Sequence, residues 1–501
     1  MTDTVGLDSS AVFDAGRELC VTANMARFVV DASFEDLPAT IVAAIRNLIL
    51  DQIAVVAAAY DTPMARALYG LFGDRGGAPE ATLIVDGCRV PAAAAAYVHA
   101  QLANLLEADE TMHNRMHAFS VCGLAGLAVG EMTGATGREL VTAIAVGYDV
   151  AARVGISLKQ FVPDGHGGMQ FSPQWGYGWM TLGAAATAAR LLGLDAEATA
   201  HAFGQAHVTT PVYFDLNDLF ARLSSATAPA MWHKYQLGGA MAEAGINAAQ
   251  LALHGWRSRD DLLDAGSGFW RSYNVSGCDY EQMYAHLGIR WYIGETSIRP
   301  YPFPRHGQGA LDLLAHLITQ HDVAAEEIDE IVVRIAPTGL SQLVAATVHP
   351  SEPLKLMVSQ STALALVALR VPPGPKWFNA DLEDPMLRRL ADRVRYEVVE
   401  SWGAELMSQM DDEGFFARLP TEVVIRRTDG TVLRSYTEYL RGDPWTAQSA
   451  FSFDDVADKA RGYLDGILPP ERIEQLITAV AGVAQAPDLS AITAAMVAAR
   501  G

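Results

Sequence analysis

Between residues 34 and 291 the apolar side chains recur almost wholly at helical spacing, and after 291 they turn to the alternation of strands. No other pattern in the chain narrows its fold as far. Ile41, Val42, Ile45, Leu48, Ile49 and Ile53 follow the 3.6-residue period, and Asp36-Leu37-Pro38 before them predicts a helix start with a capping acid and an early proline. Alanine-rich runs recur at 91–105, 137–154, 182–192 and 238–254. Small residues let helix axes approach closely, so these runs predict a compact bundle rather than long solvated rods. No fixed-period repeat of the solenoid kind is visible.

Beyond 291 the segment 330–335 alternates Ile331, Val333 and Ile335 with more polar neighbours, and 394–399 reads as a second strand. Asp384-Pro385 starts a short helix, and 421–436 reads as a hairpin around Asp429-Gly430, where glycine tolerates positive φ. The Val371-Pro-Pro-Gly-Pro stretch reads as a surface connection. Helical spacing returns at 452–463, with Ser452 and Asp455 as a capping box, and again near Pro470 and Pro487. The expected architecture is mainly α with an α+β lid. A helical domain would span 1–292, with 445–501 docking back on it, and the lid would span 293–444.

Half of the 501 residues are hydrophobic and 19% are charged, which describes a well-buried globular chain. A net charge of −22 argues against nucleic acid or an anionic membrane surface as a partner, while a local basic pocket still suits a small anionic substrate. The opening MTDTVGLDSS shows neither the basic nor the apolar part of a signal peptide. The most apolar stretch, 118–130, is too short to span a bilayer and reads as a buried helix. Cys20, Cys88, Cys122 and Cys278 are scattered without a CxxC, so a reducing cytoplasm is the expected home and an iron–sulfur cluster is not expected.

Three segments carry the candidate chemistry. The densest polar cluster is Glu107-Ala-Asp-Glu-Thr-Met-His-Asn-Arg-Met-His117, set between apolar helices. On a helix Asp109, His113 and His117 would share a face. That spacing admits a metal site, a charged surface turn, or a general acid/base cluster lining a cleft, and the apolar flanks favour the last. Lys234, in Met231-Trp-His-Lys-Tyr235, is either a carboxylate holder in an apolar setting or a lysine reaching out from a helix end. Arg299-Pro-Tyr-Pro-Phe-Pro-Arg305 is stiffened by three prolines and offers two guanidinium groups to carboxylates, or simply links two domains.

These segments, in this order, resemble the MmgE/PrpD family. So do Leu50-Asp51, Gly147-Tyr-Asp-Val-Ala-Ala-Arg-Val154, Gly183-Ala-Ala-Ala with Leu191-Leu-Gly-Leu, and Gly442-Asp-Pro444. The resemblance runs from about residue 20 to 465. It implies a helical domain with an α+β lid, a homodimer, a site in the cleft between domains, and no metal or other cofactor. The implied chemistry is proton transfer at carbon beside a carboxylate: dehydration of 2-methylcitrate, decarboxylation of cis-aconitate, or epimerisation of iminodisuccinate.

Carried over position by position, the family's acidic DxDDT segment falls on 107–111, its histidine on His117 and its KRLH lysine on Lys234. The resemblance thus implies His117 as general acid/base, Glu107 or Asp109 as its orienting or paired acid, Thr111 on the substrate, and Lys234, Arg299 and Arg305 on carboxylates, with Tyr301 in the same proline-rich segment. The sequence departs from the pattern at Glu107, at Ala118 after the histidine, and at Arg299, where the family has lysine. Two family histidines fall on Gln174 and Gln308, amides that exchange no proton at neutral pH. The expected function is a cofactor-independent lyase on a di- or tricarboxylate. The alternatives are an epimerase or isomerase, an enzyme on a bulkier substrate suited to the aromatic stretch 171–179, or a metabolite-binding relative without turnover.

Overall fold

The computed structural model describes residues 20–113, 116–159, 161–163, 169–171, 177–210, 221–225, 227–232, 238–273, 275–337, 345, 348–412 and 415–498. The fold is mainly α, with an α+β lid. The helix Ala39–Ala58 runs through the middle of the larger core with Ile45, Ile49 and Ile53 fully buried. Its N-cap is Pro38 rather than Asp36. Asp36 instead takes the amide and hydroxyl of Ser33, each at 2.8 Å, and closes the short turn before the helix. Met180–Leu191 packs against Gly137–Ser157, Gly238–Leu253 and Ala118–Thr133.

The close packing of these helices explains two of the small-residue motifs. A Cβ on Gly147 would stand 2.7 Å from the Gly183 carbonyl oxygen, and one on Gly183 would stand 2.6 Å from that of Gly147. The two helices therefore cross backbone to backbone, and any side chain at either position would force them apart. Ala39–Ala58 and Gly137–Ser157 are long and apolar enough to cross a bilayer, but the protein itself buries 78% and 94% of their apolar windows.

A four-stranded sheet forms the lid, in the order Val432–Thr437, Thr421–Arg427, Ile328–Ile335, Val394–Val398. The last pair is parallel and the others antiparallel, with Ile331 opposite both Ile425 and Val394. Ile331, Val333, Val423 and Ile425 face the helices Arg305–Gln320, Gln360–Ala368 and Pro385–Ala391, making a second, smaller core. The opposite face carries ion pairs such as Arg334 with Glu397 and Glu422. The alternation is not strict, since Val332 and Val424, paired on that second face, are buried as well. The hairpin turns at Gly430, φ 87°. After the lid, Phe453–Leu464 lies on Ala39–Ala58, and Val456, Ala457, Ala460 and Leu464 join the larger core. Ser452 and Asp455 form the expected capping box.

Candidate active site

The site is assembled by a two-residue ladder. Thr111–Met112 pairs antiparallel with Thr296–Ser297, Thr111 opposite Ser297. In that register Asp109 and Arg299 fall opposite each other. The Arg299 guanidinium duly donates through Nε to the Asp109 carbonyl at 2.5 Å, through one terminal nitrogen to Glu107 Oε1 at 2.5 Å, and through the other to the Asp109 carboxylate. Asn104 Nδ2 reaches both Asp109 oxygens at 3.0 Å.

The segment is not a helix, so Asp109, His113 and His117 do not share a helical face. Glu107 and His113 take positive φ of 55° and 51°, and Met112 and Met116 exchange backbone hydrogen bonds across a tight reversal. That reversal sends the two histidines to different partners. His113 Nε2 meets Glu295 Oε2 at 2.6 Å, and its ring stacks on Phe415 at 3.7 Å. His117 turns back to Asp109, its Nδ1 standing 3.0 Å from Oδ2 and 2.6 Å from the Glu110 carbonyl. The carbonyl only accepts, so Nδ1 carries the hydrogen and Nε2 is the nitrogen that exchanges its proton.

His117 is also the N-cap of Ala118–Thr133. The first amides of that helix are taken by Glu110, whose Oε1 accepts from Phe119 at 2.6 Å and Ser120 at 3.2 Å, while its Oε2 is buried without a partner. Burial and the charge of Asp109 push the Glu110 carboxyl up to about 8. Burial would also raise Asp109, but the charges of His117 and Arg299 outweigh it and hold that carboxyl below its ordinary value. Two adjacent acids are thus driven apart: one stays ionised beside the imidazole and the other keeps a proton near neutrality.

Glu107, Asp109, Thr111, His117 and Arg299 are all within a tenth of full burial and are brought together. Gln174 and Lys234 lie outside the described residues. Arg305 forks its guanidinium onto Asp443 at 3.1 and 2.5 Å, with Ala417 O at 3.3 Å. Gln308 is bound to the proline-rich segment: its amide nitrogen donates to the Tyr301 and Phe303 carbonyls, and its oxygen accepts from the Tyr301 amide. That amide ties the Arg299–Arg305 segment to the helix that follows it. Tyr301 is buried with its ring 5.9 Å from Trp377. An apolar cavity lined by Leu105, Leu106, Pro302, Leu356 and Trp377 opens at the same junction.

The MmgE/PrpD N-terminal domain model matches residues 23–280, and the MmgE/PrpD C-terminal domain model matches residues 301–483. The chain belongs to the MmgE/PrpD family. It is 26% identical over 422 residues to the cis-aconitate decarboxylase of Mus musculus, covering 81% of this chain and 78% of that one. To the cis-aconitate decarboxylase of Homo sapiens it is 24% identical over 419 residues, covering 81% and 79%. Family and relatives together make it an enzyme of the dehydratase or decarboxylase type of lyase.

Several members of the cluster escaped the sequence reading. Asn104 ends a helix and gives no signal of its own. Glu295 and Arg290 lie far from the cluster in sequence: Glu295 meets His113 across 182 residues and takes Arg290 at 2.8 Å. Lys459 sits on Phe453–Leu464, where a lysine on an amphipathic helix reads as solvated. It is buried, with Nζ 2.6 Å from Asp51 Oδ1 and 2.8 Å from the Ala108 carbonyl. Glu110 did carry a readable signal, an acid a few residues before a long apolar helix whose first amides need an acceptor.

Proposed function

We propose that the chain removes CO₂ or water from a small di- or tricarboxylate by moving a proton at the carbon beside a carboxylate, a cis-aconitate-like acid being the first substrate to test. The observation that carries this reading is the buried His117, its Nδ1 hydrogen fixed by Asp109 and the Glu110 carbonyl. An imidazole so held can take or give a proton through Nε2 without reorienting. In decarboxylation the electrons of the breaking carbon–carbon bond pass into the allylic system as CO₂ leaves, and the His117 imidazolium protonates the resulting carbanion. In dehydration one group removes the α-proton while a second protonates the departing hydroxyl.

In this scheme Asp109 orients and stabilises the imidazolium. Glu107 is its paired acid, and Thr111 hydrogen-bonds the substrate. Lys234 holds a substrate carboxylate, and Gln174 serves as a neutral hydrogen-bonding group. Arg299 keeps Glu107 and Asp109 ionised. The same reading has the enzyme act without metal or cofactor and as a homodimer, both carried from the family resemblance, and in the cytoplasm, carried from the scattered cysteines.

A second reading, proton removal and return with no leaving group, is favoured by one observation. The position of a family histidine is filled by Gln308, whose amide is engaged with backbone and offers no second proton carrier. Proton NMR in D₂O of the purified protein with 2-methylcitrate, citrate, cis-aconitate and iminodisuccinate separates the two. New vinyl signals are expected. Deuterium entry without net conversion would favour the second reading, and unchanged spectra for all four acids would overturn both.

A further inference from the structure

The acidic loop of the site is gripped from below by a residue far away in sequence. Lys459 comes from Phe453–Leu464, 351 positions beyond Ala108, and its ammonium is buried against the Ala108 carbonyl at 2.8 Å and Asp51 Oδ1 at 2.6 Å. Asp51 belongs to the core helix Ala39–Ala58 and takes Gln52 Nε2 at 3.1 Å on its other oxygen. Lys459 Nζ also stands 5.1 Å from the ring of Tyr463, one turn along its own helix. Ala108 lies between Glu107 and Asp109, so a bond to its carbonyl fixes the direction in which both carboxylates leave the chain.

We propose that Lys459 is a positioning residue of this site: its ammonium holds the acidic loop through the Ala108 carbonyl and, with Arg299, balances the carboxylates that face His117. The charges support it. Glu107, Asp109 and Asp51 supply three negative charges, and Arg299 and Lys459 supply two positive ones. One negative charge is left over, and Asp109 presents it to the His117 ring. The other titratable groups facing this volume are Glu110, Tyr177, Tyr301 and Tyr463, whose acidic forms burial favours. Burial pulls Lys459 down and pushes Asp51 up, and the charge of each opposes that shift in the other. The role assigned to His117 rests on the proposed function. The positioning by Lys459 is tested without it.

The test follows the titration of the His117 ring by NMR of histidine-labelled full-length protein, the resonance being assigned by its loss in His117→Gln. Lys459→Gln deletes a positive charge and is expected to move that titration to higher pH. Asp51→Asn deletes a negative charge and is expected to move it lower. Each shift is about one pH unit, the order for a unit charge several ångströms away at an effective dielectric constant of about 20. The double variant should return close to the unchanged protein. Structural damage alone has no reason to act with opposite sign in the two single variants. Shifts in the same direction, or shifts below about 0.2 pH unit, overturn the proposal. If Lys459→Gln does not fold, Asp51→Asn and the double variant decide it by the same criterion. Retained turnover in His117→Ala would sink the catalytic reading and leave this test standing.

Discussion

Replacing Arg299 by methionine is the sharpest perturbation of the site that leaves every proposed proton carrier in place. The guanidinium is 2% exposed and donates to Glu107, to the Asp109 carboxylate and to the Asp109 carbonyl. Removing one partner of a buried ion pair costs about 3–5 kcal/mol, because the other charge stays buried. The acids can escape by taking a proton. At pH 7 that costs about 4 kcal/mol for a carboxyl of ordinary pKa near 4, some three pH units at about 1.4 kcal/mol each. The two routes agree, so the variant is expected to lose about 4 kcal/mol, or about 4 °C in Tm if the whole chain unfolds together.

The loss carries a pH signature. In the unchanged protein Asp109 is held below its ordinary value, so its stabilisation is present above the unfolded pKa and fades as pH falls through the folded one. Without Arg299 the folded acids bind protons more tightly than the unfolded chain does. The deficit of the variant should therefore widen from pH 5.5 to pH 8. Scanning calorimetry across that range measures it. A Tm within 1 °C of the unchanged protein throughout, about 1 kcal/mol at most, or a deficit that grows on acidification, would refute the reasoning.

Other substitutions test neighbouring parts of the account. Glu110→Gln copies the protonated acid. Because the folded carboxyl is raised to about 8, the unchanged protein loses stability as pH rises from the unfolded pKa towards 8, at about 1.4 kcal/mol per pH unit. The glutamine variant should show a flatter Tm–pH curve and be the more stable one at pH 8. Gly442→Ala should fail to accumulate as folded protein, because φ is 91° there and a Cβ would lie 1.9 Å from the Ile298 carbonyl oxygen; limited proteolysis reads this directly. Gln308→Ala removes three hydrogen bonds to the backbone of the proline-rich loop and should cost about 1–3 kcal/mol in thermal unfolding.

Much of the architecture was legible because it rests on local rules. The period of Ile41 to Ile53, the Ser452–Asp455 box and the Asp429-Gly430 turn each depend on residues a few positions apart, and each is present. The acidic cluster was legible as polar residues amid apolar helices, but its shape was not. Helical spacing put Asp109, His113 and His117 in line, whereas the positive φ of Glu107 and His113 and the short ladder to Thr296–Ser297 turn the two histidines apart. Those features follow from a pairing across 186 positions that no local pattern records. Long-range partners were hidden for the same reason. Arg305 read as a carboxylate binder or part of a linker, and its partner Asp443 lies 138 positions away; Lys459 drew no reading of its own, and it meets Asp51 across 408 positions. The motifs Gly147-Tyr-Asp and Gly183-Ala-Ala-Ala, read both as family likeness and as parts of small-residue runs, mark one helix crossing.

The central claim is that His117 moves the proton. Its most direct test is the rate of cis-aconitate conversion in D₂O by the unchanged protein and by His117→Gln, followed by proton NMR together with CO₂ release. The account predicts one CO₂ per turnover and a product carrying solvent deuterium, with a rate about 10²–10⁴ lower in the variant. Conversion at an unchanged rate in His117→Gln would contradict it.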